Sequence, residues 1–194
     1  RNNHFGNAGL TSVASAGFRN DATLPSWLSH TENGQFLNYI QKGNIRETNA
    51  NSFIDETLPA GNWLFNAGAR FDYFNFYYNN TAPVSDTAAN IYNGLQKSNN
   101  AAIISPKLNI QYTVNKVLQL YVKTGKGFHS NDARVVIANK GYEILPAAYG
   151  ADLGMNWKPF PGLYINAALW YLFLQQEFVY GADYGDESVQ PGGK

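Results

Sequence analysis

Apolar and polar residues alternate one by one through several stretches of this chain, and the joints between those stretches are sorted into short and long. In "YGADLGMNWK", Tyr149, Ala151, Leu153, Met155 and Trp157 share one face, opposite Gly150, Asp152, Gly154, Asn156 and Lys158. In "KLNIQYTV", Leu108, Ile110, Tyr112 and Val114 oppose Lys107, Asn109, Gln111 and Thr113. In "WLFNAGARFDYF", Trp63, Phe65, Ala67, Ala69, Phe71 and Tyr73 oppose Asn66, Gly68, Arg70 and Asp72. Period two is the signature of a β-strand with two unlike faces. Leu118, Leu120 and Val122 continue the pattern against Gln119 and Lys123. A strand over about 163–180 is apolar on both sides in its middle, and one over about 44–58 is weaker.

Three joints are tight: "PAGN" near 58–63, "NK" at 115–116 and "PFPG" near 158–163. They consist of residues that preset φ or tolerate positive values. The intervening joints, about 80–100, about 128–147 and the tail from about 181, are long. Short turns at one end of an up-and-down antiparallel sheet and long loops at the other describe a transmembrane β-barrel. Such a barrel averages to a modest hydropathy, as this chain does at a mean of -0.34. The longest apolar run, "AALWYLFL" at 167–174, is far short of the roughly 20 residues that a spanning helix needs.

Aromatic residues fit two interfacial girdles. Trp63, Trp157 and Phe160 lie at the short turns, and Phe71 and Tyr73 lie some ten residues up their strand. Aromatics favour strands in any protein, so this placement alone does not decide. On the polar faces, Arg70, Asp72, Lys107 and Lys123 are candidates to line a lumen; an ordinary cross-strand ion pair would have the same sequence.

Only six strands can be placed between 44 and 194. An open edge in hydrocarbon would leave backbone groups without partners, so the sheet must continue in other parts of a longer protein. Residues 1–43 show no sustained period and are rich in Gly, Asn and Ser. They read as a loop region with the end of a preceding strand, and "GQFLNYIQKG" as a possible short helical turn.

The excluded classes follow from charge and residue types. Fourteen basic residues balance fourteen acidic ones, which leaves no footprint for nucleic acid. There is no cysteine for a disulfide or a thiolate-bound metal. His4, His30 and His129 are too scattered for a metal site, and no nucleophile elbow or zinc-helix motif occurs, so no enzyme activity and no cofactor are expected. "DYGDE" at 183–187 departs from calcium-loop spacing and reads as a solvated acidic loop.

The ordered succession of "ISPKLNIQYTV", "LQLYVKTGKGFHSNDAR" and "LPAAYGADLGMNWKPFPGLYINAALWYLFLQQEFVY" resembles the barrel domain of TonB-dependent outer-membrane receptors, with wording nearest those of Bacteroidetes. The resemblance spans about 44–194 and is strongest over 104–181. Asp152 in "GADLG" stands where the family usually carries an acidic residue at the start of an "ELG" strand. It implies an all-β transmembrane barrel segment, part of a barrel of about 22 strands closed by a separate plug domain. It also implies TonB-driven uptake of a scarce solute such as a ferric siderophore. The implied partners are the plug and the rest of the barrel, the TonB complex, a small-molecule ligand, and outer-membrane lipid with lipopolysaccharide. "FHSNDAR" would then sit at the external end of its strand. His129, Asn131, Asp132, Arg134 and Tyr142 become candidate ligand contacts, against the plainer reading that they fix the base of a loop by local hydrogen bonds. A soluble secreted β-rich module that binds glycan or peptide is the competing function, and a passive porin a lesser one.

Overall fold

The computed structural model describes residues 2–5, 8–85, 97–138, 143–181 and 186–191, with side chains over 9–85, 97–134, 136–137 and 143–176. Eight strands form one antiparallel sheet in chain order, each paired with its sequence neighbours. They are β1 (Asn2–Phe5), β2 (Ala8–Glu32), β3 (Gln35–Ala60), β4 (Trp63–Asn80), β5 (Ser98–Thr113), β6 (Leu118–Phe128), β7 (Ala147–Trp157) and β8 (Ile165–Leu174). A separate hairpin follows, β9 (Gln176–Gly181) with β10 (Asp186–Pro191), and one short helix, α1 (Ala133–Ala138), lies between β6 and β7. The sheet curls into a half-barrel.

Residues 1–43, expected as loop, are strand over most of their length, and the helical turn expected in "GQFLNYIQKG" is strand as well. Asn33 and Gly34, both at positive φ, turn β2 into β3 as a two-residue hairpin. This tight turn lies at the end that carries the long loops, so the sorting of joints is not strict. The weakest expected strand, 44–58, belongs to the 26-residue β3. The expected strand over 163–180 breaks at Gln175, where its backbone N–H donates to the Ala147 carbonyl at 2.8 Å.

Pairing of β3 with β4 stops at Gly43 and Asn80, so residues 24–43 project past the sheet as a two-stranded ribbon. Each arm reaches on the order of 30 Å. Three register shifts interrupt the ribbon, one of them at Leu24–Pro25, where a residue without an amide proton is tolerated in a bulge.

Register carries one face through every strand. Phe71 faces Ile104 across β4–β5, Ile110 faces Val122 across β5–β6, Val122 faces Leu153 and Leu153 faces Leu169. This face is bare: Leu153 is 58% exposed and Leu169 76%. A two-layer soluble core would hide these side chains, and no described residue covers them. The opposite face holds the polar set and the most buried side chains, as expected on the inside of a curl. Asp72 and Phe76 there have no exposure.

β5 and β6 pair only from Lys107–Gly125 to Thr113–Gln119. Beyond that point the strands part. Pro106, which has no amide proton to give, and Gly125 mark the fork.

Candidate functional site

The inner face near the short turns is a hydrogen-bonded lattice. Asn66 is its hub: its amide donates to Asp55 Oδ1 at 2.6 Å and to Thr57 Oγ1 at 2.9 Å, and its oxygen accepts from Asn109 at 2.9 Å. Further round the curl, Asn156 donates to Gln119 at 3.1 Å and accepts from Asn166 at 2.7 Å. Neutral amides thus satisfy one another along this stretch of wall.

Glycines make the longer connections possible. Asp55 and Lys107 sit on strands that are not neighbours, β3 and β5, with Gly68 of β4 between them in register. Lys107 Nζ crosses over Gly68 to reach Asp55 Oδ2 at 2.6 Å. A Cβ at 68 would stand 2.8 Å from that carboxylate oxygen and 3.1 Å from the lysine Cε, so no other residue leaves room for the crossing. By the same device Tyr121, only 8% exposed, lies across Gly154 of β7, where a Cβ would collide with its ring. Lys123 on the same face stacks its ammonium 4.7 Å from the Tyr121 ring centroid.

Higher on β4, Arg70 grips Asp72 with two bonds, Nε to Oδ2 at 2.7 Å and Nη2 to Oδ1 at 2.8 Å. The fork geometry of guanidinium and carboxylate makes such a pair specific as well as strong. Buried Asn49 adds a third bond to Asp72 at 3.2 Å and accepts one from Asn51 at 2.8 Å. These residues line a cleft of about 340 Å³ together with Glu47, Phe74 and Ser130.

Above the cleft the same face of β4 turns apolar. Phe74, Phe76 and Tyr78 are buried, and α1 supplies the cover through Ala133, Val136 and Ile137, with Leu145 from the returning limb. Phe128, past the fork, meets Phe74 edge-on at 5.7 Å. The loop is fastened by the residues of "SNDAR". Asp132 caps α1: its Oδ1 accepts from the Arg134 N–H at 2.8 Å and its carbonyl from the Val136 N–H at 3.0 Å. The Arg134 side chain grips the same carboxylate in two further bonds, at 2.7 and 2.8 Å, and also donates to Gln41 on the projecting ribbon. Asn131, 3% exposed, donates to the Glu143 carbonyl at 2.7 Å and ties the two limbs together. Burial pushes the Asp132 carboxyl up, but its hydrogen bonds and charge contact with Arg134 outweigh burial and hold it below the usual range.

The structure therefore brings Asn131, Asp132 and Arg134 together as a loop clasp, in which the charged groups of Asp132 and Arg134 and the amide nitrogen of Asn131 are engaged within the chain, while the buried Asn131 Oδ1 has no hydrogen-bond partner among the described residues. His129 is exposed beside them, its backbone N–H bonded to the Pro146 carbonyl at 3.1 Å. Tyr142 and the acidic side chains of 183–187 lie outside the described residues. Arg70, Asp72, Lys107 and Lys123 share the inner face, and Trp63, Trp157, Phe71 and Tyr73 share the outer one, all four at least 38% exposed. Phe160 is exposed in the turn between β7 and β8. Among the described residues no group of three or more His, Asp or Glu side chains is placed to hold a metal ion. Sequence reasoning missed Asn66, Gly68 and the aromatic run Phe74–Tyr78. Only Gly68, an interruption in a polar face between Asn66 and Arg70, gave a signal that could have been read.

A family model described as TonB dependent receptor-like β-barrel matches residues 1–191. A comparison with curated proteins returned no match. Among solved structures, the chain is similar to the ferric citrate transporter FecA in its unliganded form. The TM-score is 0.75 at 17% identity, over 97% of this chain and 28% of that one. It is also similar to the closed form of the ferric-catecholate import receptor Fiu from E. coli K12, with a TM-score of 0.66 at 13% identity, over 96% of this chain and 31% of that one. The chain thus spans under a third of the length of either neighbour.

Proposed function

Because the chain belongs to the TonB-dependent receptor β-barrel family, we propose that it forms a section of the wall and external loops of a bacterial outer-membrane receptor. That receptor takes up a scarce solute, a ferric siderophore or another iron or metal complex, with energy delivered through TonB. The observation that carries this reading is the two-faced sheet: a bare apolar surface on one side, and a hydrogen-bonded polar one on the other. Lipid tails are the medium in which exposed Leu153, Leu169 and Phe71 cost nothing, and backbone groups there must be paired within the sheet.

In this reading Trp63, Trp157 and Phe160 mark the periplasmic interface, and Phe71 and Tyr73 the external one. Arg70, Asp72, Lys107 and Lys123 face the lumen and the plug domain. The loop that carries α1 lies at the external mouth, and His129 is its candidate ligand contact because it is exposed while the neighbouring charged groups, Asp132 and Arg134, are held by each other. The iron complexes named for the two structural neighbours support the choice of solute class.

The test uses the full-length parent. It should fractionate with outer membranes, and its deletion should abolish TonB-dependent uptake of radiolabelled iron from at least one ferric chelate. Uptake that persists without TonB would favour a passive porin. A parent that stays in buffer without detergent would favour the secreted glycan- or peptide-binding module.

A further inference from the structure

Charges around the inner cleft come in pairs, with one group left over. Arg19 Nε lies 2.6 Å from Asp21 Oδ2. Arg70 holds Asp72 in the two bonds described above, and Arg134 holds Asp132 in the clasp. In each pair the carboxylate stands two residues from its guanidinium in the sequence, so neutralisation is local. Glu47 is the exception. It lines the cleft of about 340 Å³ together with the first two pairs. It is half-buried, and register sets it between Asp21 on β2 and Phe76 on β4. Among the described residues no side chain forms an ion pair with it. The charges that reach it are those of Asp21, Arg19 and Asp132, two of them of its own sign. Three guanidiniums thus stand against four carboxylates, and among the described residues the cleft keeps one negative charge without a counter-ion.

We propose that this cleft seats a cationic arm, an alkylammonium group, of the solute that the receptor takes up, with Glu47 as its counter-ion. The inference rests on the receptor reading above and narrows its solute class to a complex that carries a positively charged organic group, as opposed to the surplus negative charge of a polycarboxylate or polycatecholate chelate. Three observations carry it. Each guanidinium is already held by its own carboxylate, so an anion would have to break an ion pair to gain a contact and would meet Glu47 as a like charge. Phe74 and Phe128, edge to face at 5.7 Å, supply the apolar lining of the cleft. An aromatic wall near a carboxylate suits an organic ammonium, and among the described residues no group of three carboxylates or histidines is placed to hold a metal ion instead. Finally, Glu47 faces Phe76, which lies past Tyr73 on β4, so the carboxylate sits on the external side of the interface, where an arriving solute meets it before the lumen. A cleft of this size takes an arm of a few heavy atoms while the bulk of the chelate stays above it.

The experiment titrates the full-length receptor, in neutral detergent micelles, with two ferric trihydroxamates that differ in one group. Ferrioxamine B ends in a free ammonium, and its N-acetyl derivative has none. Quenching of tryptophan fluorescence reads the affinity. The receptor should bind the ammonium form at least about tenfold more tightly, the scale of one charge-assisted hydrogen bond. That preference should shrink as salt is raised from about 0.05 M to about 0.5 M, while binding of the acetylated form stays level. Glu47→Gln should bind the two forms alike, by weakening the ammonium form alone, and Glu47→Asp should retain part of the preference. Glu32→Gln, which removes the same charge at the exposed tip of the ribbon, should keep all of it. Heat-modifiable migration on a gel reports whether the barrel has formed. Should Glu47→Gln fail to form it, the salt dependence of the unaltered receptor carries the test. Equal affinities, tighter binding of the acetylated form, binding of neither, or a preference that survives Glu47→Gln each overturn the proposal. Equal affinities together with a lower melting temperature in Glu47→Gln would assign the carboxylate to a basic side chain elsewhere in the receptor. Any of these results leaves the receptor reading standing, because fractionation and TonB-dependent uptake test it separately.

Discussion

One face of β4 holds two regions that obey different physics. From Asn66 to Asp72 it is polar, and its groups bond sideways into a lattice with β3 and β5. From Phe74 to Tyr78 it is aromatic and buried under α1. Nothing in the alternation separates the two halves; what differs is what lies over them. The polar half is satisfied by its own sheet, and the aromatic half depends on a segment some sixty residues later in the chain. A strand's period decides which side a residue faces, and a distant loop decides whether that side is wet.

The sharpest way to break this contrast is Phe76→Ala in the full-length receptor. It should cost about 3–5 kcal/mol of local stability, as large aromatic truncations in packed sites do. Hydrogen–deuterium exchange at 133–138 should accelerate, while Phe71→Ala on the outer face, measured in the same detergent, should leave those amides unchanged. Equal exchange in the two variants would mean that α1 is not held by the aromatic half. Next in size is Asp72→Ala, which strips Arg70 and Asn49 of their shared acceptor. We expect a loss of about 2 kcal/mol, kept small because Arg70 is nearly half exposed, and partial recovery in Asp72→Asn, both read from thermal unfolding.

A third measurement uses pH to separate the halves. The Asp132 carboxyl is held below its usual value of 3.8, so its contribution to the clasp is fully present above that pH and is lost as pH falls through the lower folded-state value. Proteolysis of the loop, followed from pH 5 to pH 2.5 with an acid-active protease, should rise at the acid end by the equivalent of about 1 kcal/mol. Arg134→Gln should move that rise to higher pH; an unmoved profile would remove the clasp from the account. The smallest effect belongs to Asn66→Ala, expected at about 0.5–1 kcal/mol because water can replace its bonds on an open face. A loss as large as that of Phe76→Ala would show that the lattice is not open to water.

Much of this was legible before any coordinates. Over 107–113, 118–123 and 149–157 each residue faces the side that alternation assigns it, because register across β5, β6 and β7 is continuous there. The ribbon was not legible as strand because its three register shifts reset the period each time, and its Gly, Asn and Ser content imitates a loop. Its one clear signal, the Asn33-Gly34 dipeptide that favours a two-residue hairpin, was not read as one. Phe74–Tyr78 went unread as a buried cluster, since no local pattern reveals that Val136 and Leu145 return to cover Phe74 and Phe76. The clasp lay between: Asp132 and Arg134 were visible as a pair, their engagement with Gln41 was not.

The phenol that lies across Gly154 has a consequence for the passage that the receptor reading implies. Tyr121 is well buried on this face because the residue beneath it has no side chain, so under that reading its ring takes little from the clear width. Add one methyl at 154 and the ring must shift away from the strand, narrowing the bore while every charge keeps its place.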